Sequence, residues 1–238
     1  MRINQIKLAR RPLLSYHDHN GFEQRQKILR ILQDKKSIAF VSDAGTPLIA
    51  DPGFRLISEV ISGGFYVSGV PGASAVLASL MISGLPTDKF FFGGFIPPKS
   101  GSRKEFFRKY LDIPGTLVFY ETPSRLLKTL SDLSIICGNN REIVVCRELT
   151  KKFEDVQRGT LKDVFTYFAS LDIIRGELVI LLEPSPTQTL DVGQIEQVLI
   201  NAMDYMSFKD SVSFVSQHLN ISRKQVYTKA LSIKNARQ

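Results

Sequence analysis

The stretch SDAGTPLIADPG, residues Ser42 to Gly53, sets two glycines, two prolines and two aspartates directly behind the apolar run from Ser37 to Val41. Open α/β sheets hold ligands in loops of this kind, at the carboxyl ends of their strands. Gly45 and Gly53 let a ligand come close to the backbone, while Asp43 and Thr46 offer polar side chains. No Lys-Ser or Lys-Thr pair follows as in a P-loop, and the GxGxxG spacing of a dinucleotide site is missing, so a phosphate is disfavoured. A ligand with a zwitterionic amino-acid end and a ribose diol suits carboxylates, hydroxyls and free amides better. S-adenosylmethionine has both. A turn-rich connection without a ligand is the plainer alternative.

A second stretch, GVPGASAV from Gly69 to Val76, places Pro71 and Gly72 behind the next apolar run. Ala73, Ser74 and Ala75 would then form a first helical turn, whose free N–H groups can meet a carboxylate. Close helix–sheet packing explains the small residues equally simply.

Charged groups stand where two further strands should end: Glu121 and Arg125 in ETPSR, and Arg147, Glu148, Lys151 and Lys152 in RELTKK. These are candidates for orienting a substrate or moving a proton, and Lys151 and Lys152 are also expected to contact RNA; surface ion pairs are the competing explanation. Lys99, Arg103, Lys104 and Arg108 fall on one helical stretch and as a group suit phosphate contacts, unless they form a solvated face. No metal cluster is expected, since His17 and His19 are only two apart, His218 is remote, and Cys137 and Cys146 stand alone.

The elements that must position these groups follow from hydrophobic patterning. Ile38–Val41 and Phe65–Val70 read as buried strands, and Phe54–Ile61 and Ala73–Ile82 as helices. That βαβα order predicts a parallel sheet covered on both faces. Leu85-Pro86 breaks the pattern, which puts a domain boundary near residue 87. An aromatic strand beginning at Lys89-Phe-Phe-Phe-Gly-Gly-Phe and a basic helical stretch come next. The second block continues with strands at Thr116–Tyr120, Glu142–Cys146 and Glu177–Leu182, and helices at Ser124–Leu133 and Leu161–Leu171. The expected organisation is therefore 1–87, 88–184, and a linker with a helical tail over 185–238.

In that tail, Lys209–His218 and Arg223–Ile233 carry helical spacing: Val212, Val215 and Leu219 on the first, Val226, Ala230 and Ile233 on the second. Asn220 suits a left-handed helix end, and Ser222 with Gln225 makes a capping box. The pair resembles a helix-turn-helix whose second helix carries Arg223, Lys224, Lys229 and Lys234 toward nucleic acid; an appendage packing on its own chain or on a second subunit is the alternative.

Charge agrees with a polyanionic partner. The 238 residues carry a net charge of +8. Residues 1–36 hold nine basic against three acidic side chains, and residues 201–238 six against two, whereas residues 37–98 hold two against four. With two cysteines, no apolar run long enough to span a membrane and no signal-peptide pattern at the start, the cytoplasm is the expected compartment.

Taken in order, SDAGTPLIADPG, VPGASAV, FFFGGFIPPK, VFYETPSRLLKTL, CRELTKKFEDVQRGTL and GELVIL resemble the tetrapyrrole methylase superfamily. More narrowly, they resemble its ribosomal RNA small subunit methyltransferase I branch. The resemblance implies two α/β domains with S-adenosylmethionine in the cleft between them, a homodimer, and a small-subunit ribosomal RNA substrate methylated on a cytidine ribose 2′-oxygen in the decoding region. It implies cofactor contacts from Asp43, Gly45, Thr46, Pro47, Ile49, Ser74, Ala75 and Tyr120, with Glu177 nearby. Two departures stand out. Ser124 occupies a position where histidine is common, and Met1–Pro12 stand where family members carry an additional strand, a proline-isoleucine-glycine-asparagine loop, a helix and an acidic segment. The first α/β domain is thus expected to be shortened at its N-terminus. A non-catalytic RNA-binding remnant and a methylase of small tetrapyrroles remain as other readings, the latter made unattractive by the basic surface and helical tail.

Overall fold

The computed structural model describes residues 12–17, 20–185, 192–219 and 221–236, apart from the side chains of 192–194, 218 and 236. Asn220, His19 and residues 1–11 lie outside the described residues. Residues 1–183 form one compact unit and residues 184–238 another.

In the first unit, α1 (Gly21–Gln33) and α2 (Phe54–Ser62) pack through Ile28, Leu56 and Val60, with Tyr16, Phe40 and Phe65 around them. The Arg25 Nε donates to Glu59 at 2.6 Å across this pair. Then follow α3 (Ala75–Ser83), β1 (Phe90–Phe95), α4 (Ser100–Tyr110), β2 (Thr116–Glu121), α5 (Leu126–Cys137), β3 (Glu142–Arg147), β4 (Asp155–Thr160), α6 (Leu161–Ala169) and β5 (Leu178–Leu182).

The strands form one sheet in the order β1-β2-β5-β3-β4. Only β1 and β2 are parallel; every other neighbouring pair is antiparallel. The alternation of strand side chains explains why both faces are covered. Leu117, Phe119, Ile143, Val145, Ile180 and Leu182 face α4, α5 and α6, which contribute Phe107, Leu126, Leu130, Leu161 and Phe168. Val118, Val144, Cys146, Val179 and Leu181 face Val76 and Leu80 of α3. This buried residue pattern confirms the mixed α/β class.

Two local features let the layers approach. At Gly93 a Cβ would lie 2.5 Å from the Phe119 ring, and the β1 register shifts between Phe92 and Phe95, so FFFGGF is a bulged edge strand. At the far end of α3, Arg158 on β4 donates to the carbonyl oxygens of Ser83, at 3.2 Å, and Ile82. A guanidinium there satisfies carbonyls that a helix end leaves free, and Gly84 turns the chain away with φ +82°.

The strands expected at Ile38–Val41 and Phe65–Val70 are corrected: among the described residues neither segment joins a ladder. Val41 is 78% exposed, Tyr66 90% and Val70 92%. An apolar run becomes a strand only where a neighbouring strand supplies its hydrogen bonds, and none does so here. The parallel sheet expected for the first block is therefore not formed. One strand escapes the hydrophobic pattern, β4: Asp155-Val-Gln-Arg-Gly-Thr160 is a polar edge strand with a glycine inside it.

The second unit consists of α7 (Val192–Tyr205), α8 (Phe208–His218) and α9 (Arg223–Ala236). Val212, Val215, Val226, Ala230 and Ile233 lie in its core, as their spacing predicts, with Leu199 and Ala202 of α7. Ser222 caps α9, its Oγ accepting from the Gln225 N–H at 3.3 Å. The Gln225 side chain does not reach back to the Ser222 backbone; its Oε1 takes the Ser222 hydroxyl at 2.9 Å.

Candidate methyl-transfer site

The loop 42–53 and the loop before α3 meet. Thr46 donates its hydroxyl to the Ala73 carbonyl at 2.9 Å. Gly45 adopts φ +68°, and a Cβ there would find only the Ala73 oxygen, at 4.0 Å. Leu48 and Ala50 share the left-handed region with φ 72° and 59°, a conformation that costs energy for residues with a Cβ and clusters at functional sites. Gly53 has a structural task instead: at φ +134° it opens α2, and a Cβ would lie 2.9 Å from the Phe40 ring. Ser74 caps α3 by accepting from the Leu77 N–H at 3.4 Å. The first helical residue is therefore Ala75, with Ala73 and Ser74 preceding the first turn rather than lying within it.

Tyr120, at the end of β2, ties these loops to the sheet. Its ring packs edge-on against Phe92 and Phe95 and shares a cluster with Ala75 and Leu149. Burial pushes its phenol upward; a backbone hydrogen bond with Val76 opposes the rise, and the negative charges of Asp51 and Glu177 add to it. Asp51 and Glu177 are thus near enough for their charges to act on the Tyr120 phenol, which packs beside the start of α3. Asp51 is absent from the sequence-predicted contacts, although it mirrors Asp43 within the same motif.

Asp43 and Pro47 belong to the same loop, and Ile49 on it is 47% exposed. Built Cβ atoms at Gly69 and Gly72 meet nothing within 4 Å. Open backbone, an exposed carboxylate at Asp43, apolar surface at Ile49 and Val70 and a helix start at Ala75 are a donor and acceptor set that fits S-adenosylmethionine.

The charged candidates divide by what holds them. Glu121, with a fully buried side chain, is saturated: it accepts from the Thr122 N–H at 2.7 Å, the Arg125 Nε at 2.8 Å and the Thr129 hydroxyl at 2.6 Å. It ties the end of β2 to the start of α5. Arg147 contacts Asp155 at 3.3 Å, while its buried Nε has no hydrogen-bond partner. Glu148, at φ 51°, accepts at Oε1 from Lys151 Nζ and from the Glu177 N–H, both at 2.9 Å. These bonds hold its carboxyl below the usual range. Lys151 also reaches Glu177 at 3.0 Å, and the two carboxylates raise its pKa. Lys151 is therefore committed to an ion-pair cluster, whereas Lys152 is exposed and lies 5.5 Å over the Phe153 ring.

On α4 the expected basic row breaks at Arg103, which is a correction. Arg103 is buried: its Nε donates to Asp132 at 2.7 Å and its Nη1 to the Pro98 carbonyl at 3.2 Å. The helix turns Arg103 with Phe107 toward the core, because residues four apart share a face. Lys99 and Arg108 remain exposed, and Lys104 lies 3.4 Å from Asp132. In the second unit Arg223 and Lys224 are exposed at the start of α9.

The chain belongs to the tetrapyrrole methylase family: residues 9–164 match the family described as Tetrapyrrole (Corrin/Porphyrin) Methylases. Its relatives include proteins named Ribosomal RNA small subunit methyltransferase I. That of Mesorhizobium japonicum is 36% identical, over 98% of this chain and 81% of the relative. That of Bacillus subtilis is 36% identical, over 91% of this chain and 76% of the relative. In fold the chain resembles the methyltransferase CobJ, with a TM-score of 0.52 at 18% identity, covering 68% of this chain and 71% of the other. It also resembles diphthine synthase, with a TM-score of 0.53 at 14% identity, covering 71% and 68%.

Proposed function

We propose that this chain transfers a methyl group from S-adenosylmethionine to small-subunit ribosomal RNA, at the ribose 2′-oxygen of a cytidine in the decoding region, working as a cytoplasmic homodimer. The observation that carries the reading is the Thr46–Ala73 hydrogen bond, which joins the two motif loops, the second of which leads into α3 where Ala75 and Val76 pack with Tyr120. The names of the relatives support the RNA substrate.

Asp43, Gly45, Thr46, Pro47, Ile49, Ser74, Ala75 and Tyr120 hold the cofactor in this proposal. When bound, the cofactor supplies a sulfonium-activated methyl group. The chain's task is then orientation more than acid–base chemistry. Glu121 is saturated with donors, and Glu148 is made a weaker proton acceptor by Lys151 and the Glu177 amide. We assign both, with Arg125 and Arg147, to positioning the walls of the cleft. Lys99, Lys104, Arg108, Lys152, Arg223 and Lys224 supply phosphate contacts. In the domain division 1–87, 88–184 and 185–238, the first two blocks hold the cofactor, and the second and third supply the RNA contacts.

The deciding experiment is incubation of the purified protein with labelled S-adenosylmethionine and small-subunit particles, followed by nucleoside analysis. Label in 2′-O-methylcytidine is expected. Label on another nucleoside would correct the target, and no label together with no cofactor binding by calorimetry would overturn the proposal.

A further inference from the structure

We propose that Phe153, at the tip of the β3–β4 hairpin, stacks against an unpaired base of the RNA substrate while Lys152 meets the adjoining phosphate. The inference rests on the RNA reading above and goes beyond it by naming a residue and a mode of contact.

The hairpin loop, residues 148–154, is held in shape from within. The Lys151 N–H donates to the Glu148 carbonyl at 3.0 Å, the Glu154 N–H to the Lys151 carbonyl at 3.1 Å, and the Thr150 N–H to the Glu154 carboxylate at 2.6 Å. Glu148 and Thr150 both lie in the left-handed region, at φ 51° and 63°. For a β-branched residue such as Thr150 this conformation is uncommon and needs surrounding contacts to persist. The base of the loop is anchored twice more. Leu149 packs in the cluster that contains Tyr120 and Ala75, and Lys151 joins Glu148 to Glu177. The loop therefore rises from the edge of the proposed cofactor cleft.

On this braced loop Phe153 is 66% exposed. A fixed loop that holds an aromatic ring in water gains nothing in stability from it. The ring has a cation beside it, the Lys152 ammonium 5.5 Å from its centroid. One ring with an adjacent ammonium matches a single nucleotide: the π face meets a base and the cation its phosphate. The net charge of +8 favours a polyanionic partner of this kind.

The chain has no tryptophan, so Phe153→Trp places a single indole reporter at the tip. Saturating the full-length variant with small-subunit ribosomal RNA should quench its fluorescence, while S-adenosylmethionine alone should not. Phe153→Ala should weaken RNA binding about tenfold, leaving the cofactor dissociation constant and the unfolding midpoint unchanged. RNA binding by Phe153→Trp without quenching, or by Phe153→Ala with parental affinity, would overturn this inference and leave the proposed function standing. If the parent protein binds no ribosomal RNA, both fall together.

Discussion

Thr46 and Ala73, 27 residues apart, are joined by a hydrogen bond from the Thr46 hydroxyl to the Ala73 carbonyl oxygen. Loops on either side of α2 therefore share one geometry, and what binds one of them is positioned by the other. Thr46→Val keeps the shape and deletes the bond. A neutral hydrogen bond contributes about 1 kcal/mol, so the unfolding free energy should fall by up to about that amount and, because the bond sets the relation of the two loops, the dissociation constant for S-adenosylmethionine should rise by up to about fivefold. Titration calorimetry and urea unfolding check the two halves, and unaltered binding would separate the contact from the cofactor.

Arg103 and Arg108 lie on one helix with opposite fates. Asp132 and the Pro98 carbonyl hold Arg103 inside, so Asp132→Ala strands a buried guanidinium and should cost about 3 kcal/mol in urea unfolding. Arg108→Ala should leave stability alone and lower the slope of log affinity for RNA against log salt by about 0.7 to 0.9. Filter binding at several salt concentrations reads the second effect.

That contrast separates what a short run of residues dictates from what distant residues decide. The strands β2, β3 and β5 are short apolar runs buried on both faces, and their type is readable locally. So are the two tail helices, whose apolar spacing survives into the core. Which side of α4 packs inward depends on Asp132 of α5, 29 residues onward from Arg103, and no local pattern carries that. The Ile38–Val41 and Phe65–Val70 runs mislead for a related reason: a ladder needs a neighbour, and periodicity describes only the run itself. Within the candidate site, the loop residues and Tyr120 are legible from motif order. The saturation of Glu121 by Thr122, Arg125 and Thr129 is not.

The cluster of Glu148, Lys151 and Glu177 has a defined pH window. Glu148 titrates below its usual value because the Lys151 and Glu177 donors favour the carboxylate; its contribution is complete above the ordinary carboxylate range and is lost as pH falls through the lowered value. Lys151 titrates above its usual value because Glu148 and Glu177 favour the ammonium. Its contribution is complete below the ordinary lysine range and is lost as pH rises through the raised value. Hydrogen exchange at the Glu177 N–H, which donates to Glu148, should show a plateau of protection between those limits. Protection that stayed flat on acidification would exclude the carboxylate as its source.

Gly176→Ala attacks the same cluster sterically. At φ +96° the position strains any side chain, and a Cβ would lie 2.3 Å from the Glu148 Cγ. Glu148 would have to swing away, freeing the Glu177 N–H and Lys151. The expected result is faster exchange in residues 148–154 and a raised KM for RNA, with the folded core retained. Backbone amide exchange by NMR resolves the two regions.

Helix α3 meets the sheet at both ends: Val76 packs in the cluster that holds Tyr120 of β2, and the carbonyls of Ile82 and Ser83 accept from Arg158 on β4. Contacts at both ends oppose sliding and pivoting of the helix on its support. In the proposed function the helix therefore serves as a reference for the two loops, whose own backbone torsions take up the change on cofactor binding.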